Sequence, residues 1–217
     1  MILNIRRAIN EPTESKSIVS DVEIYDYLFK GATIFVRETA CQTEFAKATT
    51  LADTQLYTFE DWILKPEIVL WYNGSKWVEL EYKTVRQLLT ISDFQMFTET
   101  GTPEYYFVKR RQIGLVKIPS VNGSADDIKM LCSKMPEELT LDTDEWDEID
   151  ETYHETIEFY ATFKAWDKIG NETKSKKFFD LFYAGIDSYR ESEQETVKNA
   201  TYRKSVWTGA SGFIGRL

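Results

Sequence analysis

Histidine and cysteine, the residues that carry much of the metal and nucleophilic chemistry of proteins, are almost absent from this sequence. The chain has one histidine, His154, and two cysteines, Cys41 and Cys132. Two thiols give no disulfide framework, and such a composition is typical of a reducing compartment. Neither cysteine stands in a recognisable nucleophile motif and both have apolar neighbours, so we expect buried structural thiols.

The remaining residue patterns that suggest a catalytic or metal site are incomplete. Glu151 and His154 form a Glu-x-x-His pair, but diiron helical bundles need two such pairs, and the sequence has no second histidine. A calcium-binding loop that begins at Asp142 would need a glycine at position 147 and a glutamate at position 153, where the sequence has Asp147 and Tyr153. We therefore expect no catalytic, metal or cofactor site, and no enzymatic activity.

Long apolar runs are missing as well. No stretch approaches the roughly 20 apolar residues that a membrane-spanning helix needs. The first ten residues, MILNIRRAIN, contain no apolar run long enough for a secretion signal. We expect a soluble protein that is made in the cytosol.

Basic residues are outnumbered, with 26 Lys and Arg against 36 Asp and Glu and a net charge of −10. Residues 137–158, which we call the acidic segment, contain eleven carboxylates and no Lys or Arg, and so account for the whole excess. This balance disfavours a conventional nucleic-acid-binding protein. Two interpretations of the acidic segment stay open: a solvated loop that leads into a helix, or a surface that repels DNA or meets a basic partner.

The first part of the chain predicts an arm, residues 1–19, followed by a capped helix over residues 20–40. Ser20 and Glu23 match the capping-box pattern, and apolar residues then recur at three- and four-residue spacing. The small residues 31–32 within this stripe indicate the close approach of another backbone.

The middle of the chain changes to the period-two pattern of β-strands. The β-rich runs are residues 45–51, 66–84, 104–110, 113–119 and 127–134. Asn73-Gly74 predicts a hairpin with a type I′ turn, because both residues tolerate positive φ, and Asn122-Gly123 predicts a turn before the last strand. A short helix is expected at residues 84–91.

The last part of the chain predicts an antiparallel pair of helices. The first helix covers residues 151–169 and ends at Gly170-Asn171, and the second runs from Glu172 towards Lys198 and loses its apolar face beyond Tyr189. The fold class is therefore α+β, with an N-terminal helix, antiparallel β hairpins or a meander, and a C-terminal helix pair. We expect one domain over residues 20–199.

Residues 200–217 predict an extended C-terminal arm. From Thr201 to Leu217 the sequence has three cations and no carboxylate, and its GASGFIG follows no strand, opens no helix and lacks the lysine of a phosphate-binding loop. Aromatic and Arg side chains are preferred anchors at interfaces, so we expect the arm to bind a partner, the alternative being that it folds back on its own domain. The expected anchors are Tyr202, Arg203, Lys204, Trp207, Phe213, Ile214 and Arg216.

Several short motifs occur in a characteristic order between residues 20 and 190. They are the turn from Tyr57 to Asp61; Gly74, Trp77 and Leu80 of the hairpin; Ile113, Leu115 and Pro119; Pro136 and Leu139; Ile149 and Asp150; and the run from Ala161 to Gly170. In order and spacing they resemble the adaptor, or head-completion, proteins of tailed bacteriophages, which include the upper tail-tube ring proteins of podoviruses.

The resemblance implies a structural virion protein at the head-to-tail junction, made in the host cytoplasm. Members of that family form a ring, usually of twelve copies, beneath the portal, where the ring extends the DNA channel and offers a docking surface to the tail. The implied partners are further copies of the chain, the portal protein, tail or neck proteins, and double-stranded DNA that passes through without specific binding. No membrane and no cofactor are implied.

In this role the acidic segment would line the channel and repel the phosphates of DNA. The residues expected on that surface are Asp142, Asp144, Glu145, Asp147, Glu148, Asp150 and Glu151, while the arm would dock between portal subunits. One alternative is a tail-tube or neck ring lower in the same stack. A second, from a different class, is a cytosolic, non-enzymatic interaction module, which would be a monomer or a dimer.

Overall fold

A computed structural model describes residues 1–11, 18–91, 97–123, 125–139, 146 and 148–210, without the side chains of residues 91 and 195–210. The chain divides into two compact units: Met1–Thr39 with Pro136–Leu217, which we call the helical unit, and Ala40–Met135, which we call the β unit. Within the described residues, no helix combines the length and apolar character that crossing a membrane requires.

The elements confirm the α+β class. In chain order they are α1 (Ile2–Ile9), α2 (Asp21–Thr39), β1 (Thr43–Ala48), β2 (Leu56–Thr58), β3 (Ile63–Tyr72), β4 (Trp77–Glu79), β5 (Glu81–Tyr82), α3 (Val85–Ile91), β6 (Tyr105–Lys109), β7 (Gln112–Val116), β8 (Ile128–Lys134), α4 (His154–Ile169) and α5 (Glu172–Ala210). One turn of 3-10 helix, Glu151–Tyr153, precedes α4.

The predicted N-terminal arm begins with a packed helix. Helix α1 buries Ile2, Ile5 and Ile9 on one face and lies against α2 and α4. Its buried Arg6 donates from Nε to Asp21 Oδ1 at 2.7 Å, which ties α1 to the start of α2. An isolated helix of eight residues would be only marginally stable in water, so α1 depends on the packing of these isoleucines.

Helix α2 begins at the predicted capping box. The backbone N–H of Ser20 donates to Glu23 Oε2 at 3.0 Å, and the N–H of Glu23 donates to Ser20 Oγ at 3.3 Å. The close approach predicted at residues 31–32 is also present, since a Cβ on Gly31 would lie 3.0 Å from Tyr160 Cβ on α4. Both features confirm expectations drawn from local sequence.

Glu23 also makes an ion pair that gives the protein a pH-dependent contribution to stability. Lys168 Nζ donates to its two carboxylate oxygens at 2.6 and 2.7 Å, and this bond together with the Ser20 backbone lowers the pKa of Glu23 from 4.5 to about 2. A depressed carboxyl pKa stabilises the fold above the unfolded value, and that stabilisation is lost as the pH falls from 4.5 towards 2.

Glu23→Gln should therefore lower the free energy of unfolding by less than about 1 kcal/mol at pH 7, since glutamine keeps the capping bond and the pair is partly exposed. The difference from the wild type should disappear near pH 2. Chemical denaturation across this pH range measures it, with Glu79→Gln on the exposed face of β4 as the control. A difference that stays constant with pH would contradict the assignment.

Helices α4 and α5 form the predicted antiparallel pair. Helix α4 ends at Gly170, and α5 buries Ser175, Phe182 and Ile186 along one side. The prediction of an extended arm is wrong for residues 200–210, because α5 continues without a break to Ala210. No glycine or proline occurs between Gly185 and Gly209, so nothing in this stretch interrupts the helix. Residues 211–217 lie outside the described part of the chain.

The β unit contains two four-stranded sheets, with strand orders β1-β8-β3-β4 and β2-β7-β6-β5. All pairs are antiparallel except β5 with β6. One apolar core draws on both sheets, from Val69, Ile128 and Met130 of the first and from Ile113 and Leu115 of the second. The order departs from a simple meander, because β8 lies between β1 and β3.

The predicted hairpin joins β3 to β4, but its turn is not type I′. Tyr72 pairs with Trp77, which leaves a four-residue loop in which Gly74 has positive φ and Asn73 does not. The side-chain oxygen of Asn73 instead accepts from the N–H groups of Ser75 at 3.1 Å and Lys76 at 3.0 Å. Asparagine thus caps the loop with its side chain rather than adopting a left-handed backbone.

Candidate interaction surfaces

Apolar side chains hold the described parts of the acidic segment against the helical unit. Leu139, Trp146 and Ile149 are buried, and Trp146 Nε1 donates to the carbonyl of Glu137 at 2.9 Å. His154 Nε2 lies 2.9 Å from the carbonyl oxygen of Ile149, and its ring is edge-on to Trp146. These contacts fix the chain around Ile149, so that Glu148, Asp150 and Glu151 lie just before α4.

The described carboxylates of this segment face solvent, with one exception. The exposed ones are Glu137, Glu138, Glu148, Asp150, Glu151 and Glu155, while Asp142, Asp144, Glu145 and Asp147 lie outside the described residues. Asp150 Oδ1 accepts from Thr152 Oγ1 at 2.7 Å and from its N–H at 2.9 Å, and these bonds lower the pKa of Asp150. Glu158 is half-buried, and burial raises its pKa.

The histidine and the cysteines have structural surroundings. His154 uses Nε2 to contact the Ile149 backbone, and in the described part of the chain no three His, Cys, Asp or Glu side chains group as metal ligands. Cys132 is buried as predicted, and burial raises the pKa of its thiol to about 12. Cys41 is half-buried. A thiol with such a raised pKa stays protonated and is a poor nucleophile at neutral pH.

Helix α5 leaves the packed part of the helical unit at a group of residues that we call the exit cluster: Phe35, Tyr153, Tyr189 and Arg190. The ring centroids lie 5.7 Å apart for Phe35 and each tyrosine, and 4.9 Å apart for the two tyrosines. Arg190 Nη2 donates at 2.9 Å to the carbonyl of Glu38 and at 2.8 Å to its Oε2, which caps the end of α2. Residues 191–194 are then exposed.

Beyond the exit cluster, residues 193–210 continue as helix for about 27 Å at the usual rise per residue. Tyr202, Arg203, Lys204 and Trp207 lie on this stretch, and their side chains are outside the described atoms. Phe213, Ile214 and Arg216 lie beyond the described residues. The partner-binding role predicted for these seven residues stays a prediction.

A second surface on the helical unit was not predicted from the sequence. We call it the aromatic–lysine face: Phe163 and Lys164 of α4 with Lys176, Phe179 and Tyr183 of α5. Phe179 lies with its ring centroid 5.2 Å from that of Phe163 and 4.8 Å from that of Tyr183, and Lys164 Nζ lies 4.8 Å from the Phe163 centroid. Phe179 and Tyr183 are 39% and 42% exposed.

The aromatic–lysine face lies beside the buried stripe of α5 rather than within it. Phe179 and Tyr183 are four residues apart, a spacing that places them one helical turn apart on the same side. That spacing could have indicated this surface in the sequence. Helical periodicity alone identified only the neighbouring buried stripe, through Phe182 and Ile186. Exposed aromatic rings joined to lysines are typical of interaction surfaces.

A family model described as SU10 adaptor protein matches residues 4–205. The matched range includes the acidic segment, the exit cluster, the aromatic–lysine face, most of both units and most of the extension of α5, residues 193–210. No curated protein matches the chain.

Proposed function

Because the chain belongs to the SU10 adaptor protein family, a bacteriophage adaptor family, we propose that it forms a ring between the portal and the tail of a tailed phage. The ring extends the DNA channel and offers a docking surface to the tail. The observation that carries the proposal is the family match over residues 4–205, which spans both units rather than a single motif. An adaptor of this kind is a structural protein of the virion.

The extension of α5 is the part of the chain that we assign to the portal. Contacts within the helical unit hold α5 as far as Ser192, whose Oγ lies 3.3 Å from the Tyr153 hydroxyl, and the helix then continues for about 27 Å. An element that leaves its own core in this way is suited to a neighbouring protein. Tyr202 and Trp207 are aromatic anchors of the type that dominates binding energy at interfaces, and Arg203 and Lys204 suit an acidic partner.

Negative charge suits a ring through which DNA passes. A wall that repels phosphate groups does not hold DNA, and each copy contributes a net charge of −10. Channel lining was predicted for seven carboxylates between Asp142 and Glu151, of which Glu148, Asp150 and Glu151 are exposed. In a ring the same carboxylates could instead face the neighbouring copy, and the two arrangements respond differently to charge reversal.

Deletion of residues 201–217 tests the proposed function. The shortened chain should stay folded, since the described contacts of α5 lie before this point, but it should no longer co-purify with portal-bearing capsids. Trp207→Ala should weaken the association in the full-length chain, whereas Trp77→Ala, at an exposed position of the β unit, should leave it unchanged. A deletion variant that stays with the capsids would contradict the assignment of the extension.

The alternatives predict different assemblies. A tail-tube or neck ring would also be closed, but it would sit lower in the stack, which a symmetric reconstruction of the particle vertex distinguishes directly. A non-enzymatic interaction module would instead be a monomer or a free dimer. The mass of the particle-bound assembly separates this class from a ring of about a dozen copies, the usual number in adaptor rings.

A further inference from the structure

We propose that the aromatic–lysine face binds the exposed carboxylates that precede and begin α4 (Glu148, Asp150, Glu151 and Glu155) in a second copy of this chain, and that this head-to-tail contact closes the ring. The inference rests on the ring that is proposed above and adds the two surfaces that meet. Both surfaces belong to the helical unit, and each has exposed side chains in a single copy: Lys176, Phe179 and Tyr183 on the first, Glu151 and Glu155 on the second.

The charge of the two surfaces is complementary. Residues 164–183, from α4 through the turn into α5, contain five lysines, of which Lys168 is paired with Glu23, and three carboxylates. The acidic segment, which ends in the first turns of α4, contains eleven carboxylates and no Lys or Arg in its sequence. Because like charges at an interface are unfavourable and opposite charges fix its register, each surface favours the other surface of a neighbouring copy over its own kind.

The two surfaces point in different directions, as a ring requires. Glu155 and Lys164 are nine residues apart on α4, which places them two and a half turns, or about 180°, apart around the helix. They are also separated by about 14 Å along its axis. A contact between different surfaces of identical copies is heterologous, and such contacts form closed rings when the rotation between copies is completed.

Exposed aromatic side chains supply the apolar part of the contact. Phe179 and Tyr183 are each partly exposed and stack into a continuous group with Phe163, with Lys164 at its edge. Lys176 is exposed and lies one helical turn before Phe179. Burial of the rings favours association, and the surrounding lysines select a partner that is rich in carboxylates.

On the acidic side, the two carboxylates best placed for this contact are Glu151 and Glu155. Both are exposed: Glu151 lies in the 3-10 turn that precedes α4, and Glu155 lies in the first turn of α4. They form a pair of anionic groups that can meet Lys164 and Lys176 of the next copy. The contact should weaken as salt is added, because exposed charge pairs are screened.

Paired charge reversal tests the proposal. The acid-reversed variant carries Glu151→Lys with Glu155→Lys, and the base-reversed variant carries Lys164→Glu with Lys176→Glu. Each variant alone should associate at least tenfold more weakly than the wild type, because the four side chains that meet at the contact then carry the same sign. An equimolar mixture of the two variants should assemble again, because positive side chains of one variant then meet negative side chains of the other at every contact.

Matched controls apply equal changes of charge at exposed positions of the β unit. They are Glu79→Lys with Glu99→Lys, and Lys76→Glu with Lys109→Glu. These should assemble as the wild type does. Sedimentation of the purified chains at low ionic strength gives the mass of each assembly, and circular dichroism confirms that each variant is folded.

Three outcomes separate this inference from the function on which it rests. Assembly that is restored only in the mixture supports the contact. If the wild type forms rings on particles and both reversed variants also form normal rings, then the proposed contact is wrong and the adaptor function stands. In that case, new binding of double-stranded DNA by the acid-reversed rings would place the acidic segment on the channel wall. Wild-type chains that form no ring on particles would contradict both.

Discussion

Phe35→Ala should lower the free energy of unfolding by about 3–5 kcal/mol, the usual cost of removing a buried aromatic side chain. Phe35 is fully buried, and its ring centroid lies 5.7 Å from both Tyr153 and Tyr189. Its removal leaves a cavity between α2, the turn before α4, and α5. The tyrosines cannot fill it easily, because they also stack on each other at 4.9 Å.

The same substitution at Phe179 provides the control within the helical unit. Phe179 is 39% exposed and α5 stays helical with alanine, so the loss there should be less than half of that at Phe35. Equilibrium unfolding in denaturant gives both values. Equal losses at the two positions would mean that the exit cluster is not a packed part of the core. Hydrogen exchange should also become faster around Tyr189 in Phe35→Ala alone.

Gly185→Ala should lower the free energy of unfolding by about 1–3 kcal/mol, although glycine to alanine within a helix normally stabilises by about 1 kcal/mol. The sign changes because α4 and α5 approach each other closely at this point. A Cβ on Gly185 would lie 2.4 Å from both Cγ2 and Oγ1 of Thr156, which is buried and β-branched. Thr156 has few rotamers with which to avoid the contact.

A double-mutant cycle shows whether this contact is the cause. Thr156→Ala removes Cγ2 and Oγ1 and leaves only the Cβ, 2.9 Å from the new methyl group. In that background, Gly185→Ala should cost at least about 1 kcal/mol less than in the wild type. If the two changes are simply additive, then the close approach of the helices does not determine the effect.

Local features of the chain could be predicted from the sequence because neighbouring residues determine them. The capping box of Ser20 and Glu23 fixes the start of α2, and Gly170 ends α4, where the chain must reverse. The strands around Asn73-Gly74 form the predicted hairpin. The turn itself differs, since the Asn73 side chain competes for the loop's N–H groups, and a dipeptide pattern does not reveal that competition.

Long-range features could not be predicted in the same way. The place of β8 between β1 and β3 depends on pairings such as Phe45 with Leu131, across more than 80 residues. The extension of α5 was missed because a polar stretch without an apolar face gives no periodic signal, even though its residues allow a helix. Exposed aromatic residues such as Phe179 are similarly hidden, since spacing shows which side of a helix is buried and not what the other side contacts.

The position of the β unit within the chain has a consequence for how such a protein can change. The β unit is inserted between α2 and α4, and its first and last strands are paired, with Thr43 opposite Ser133. The chain therefore enters and leaves this unit only about 5 Å apart, the distance between paired strands. A few residues can bridge a gap of that size, so another domain, or a short loop, could replace the β unit without moving the ends of α2 and α4. Selection can then change the β unit while the helices on either side of it in the sequence are kept.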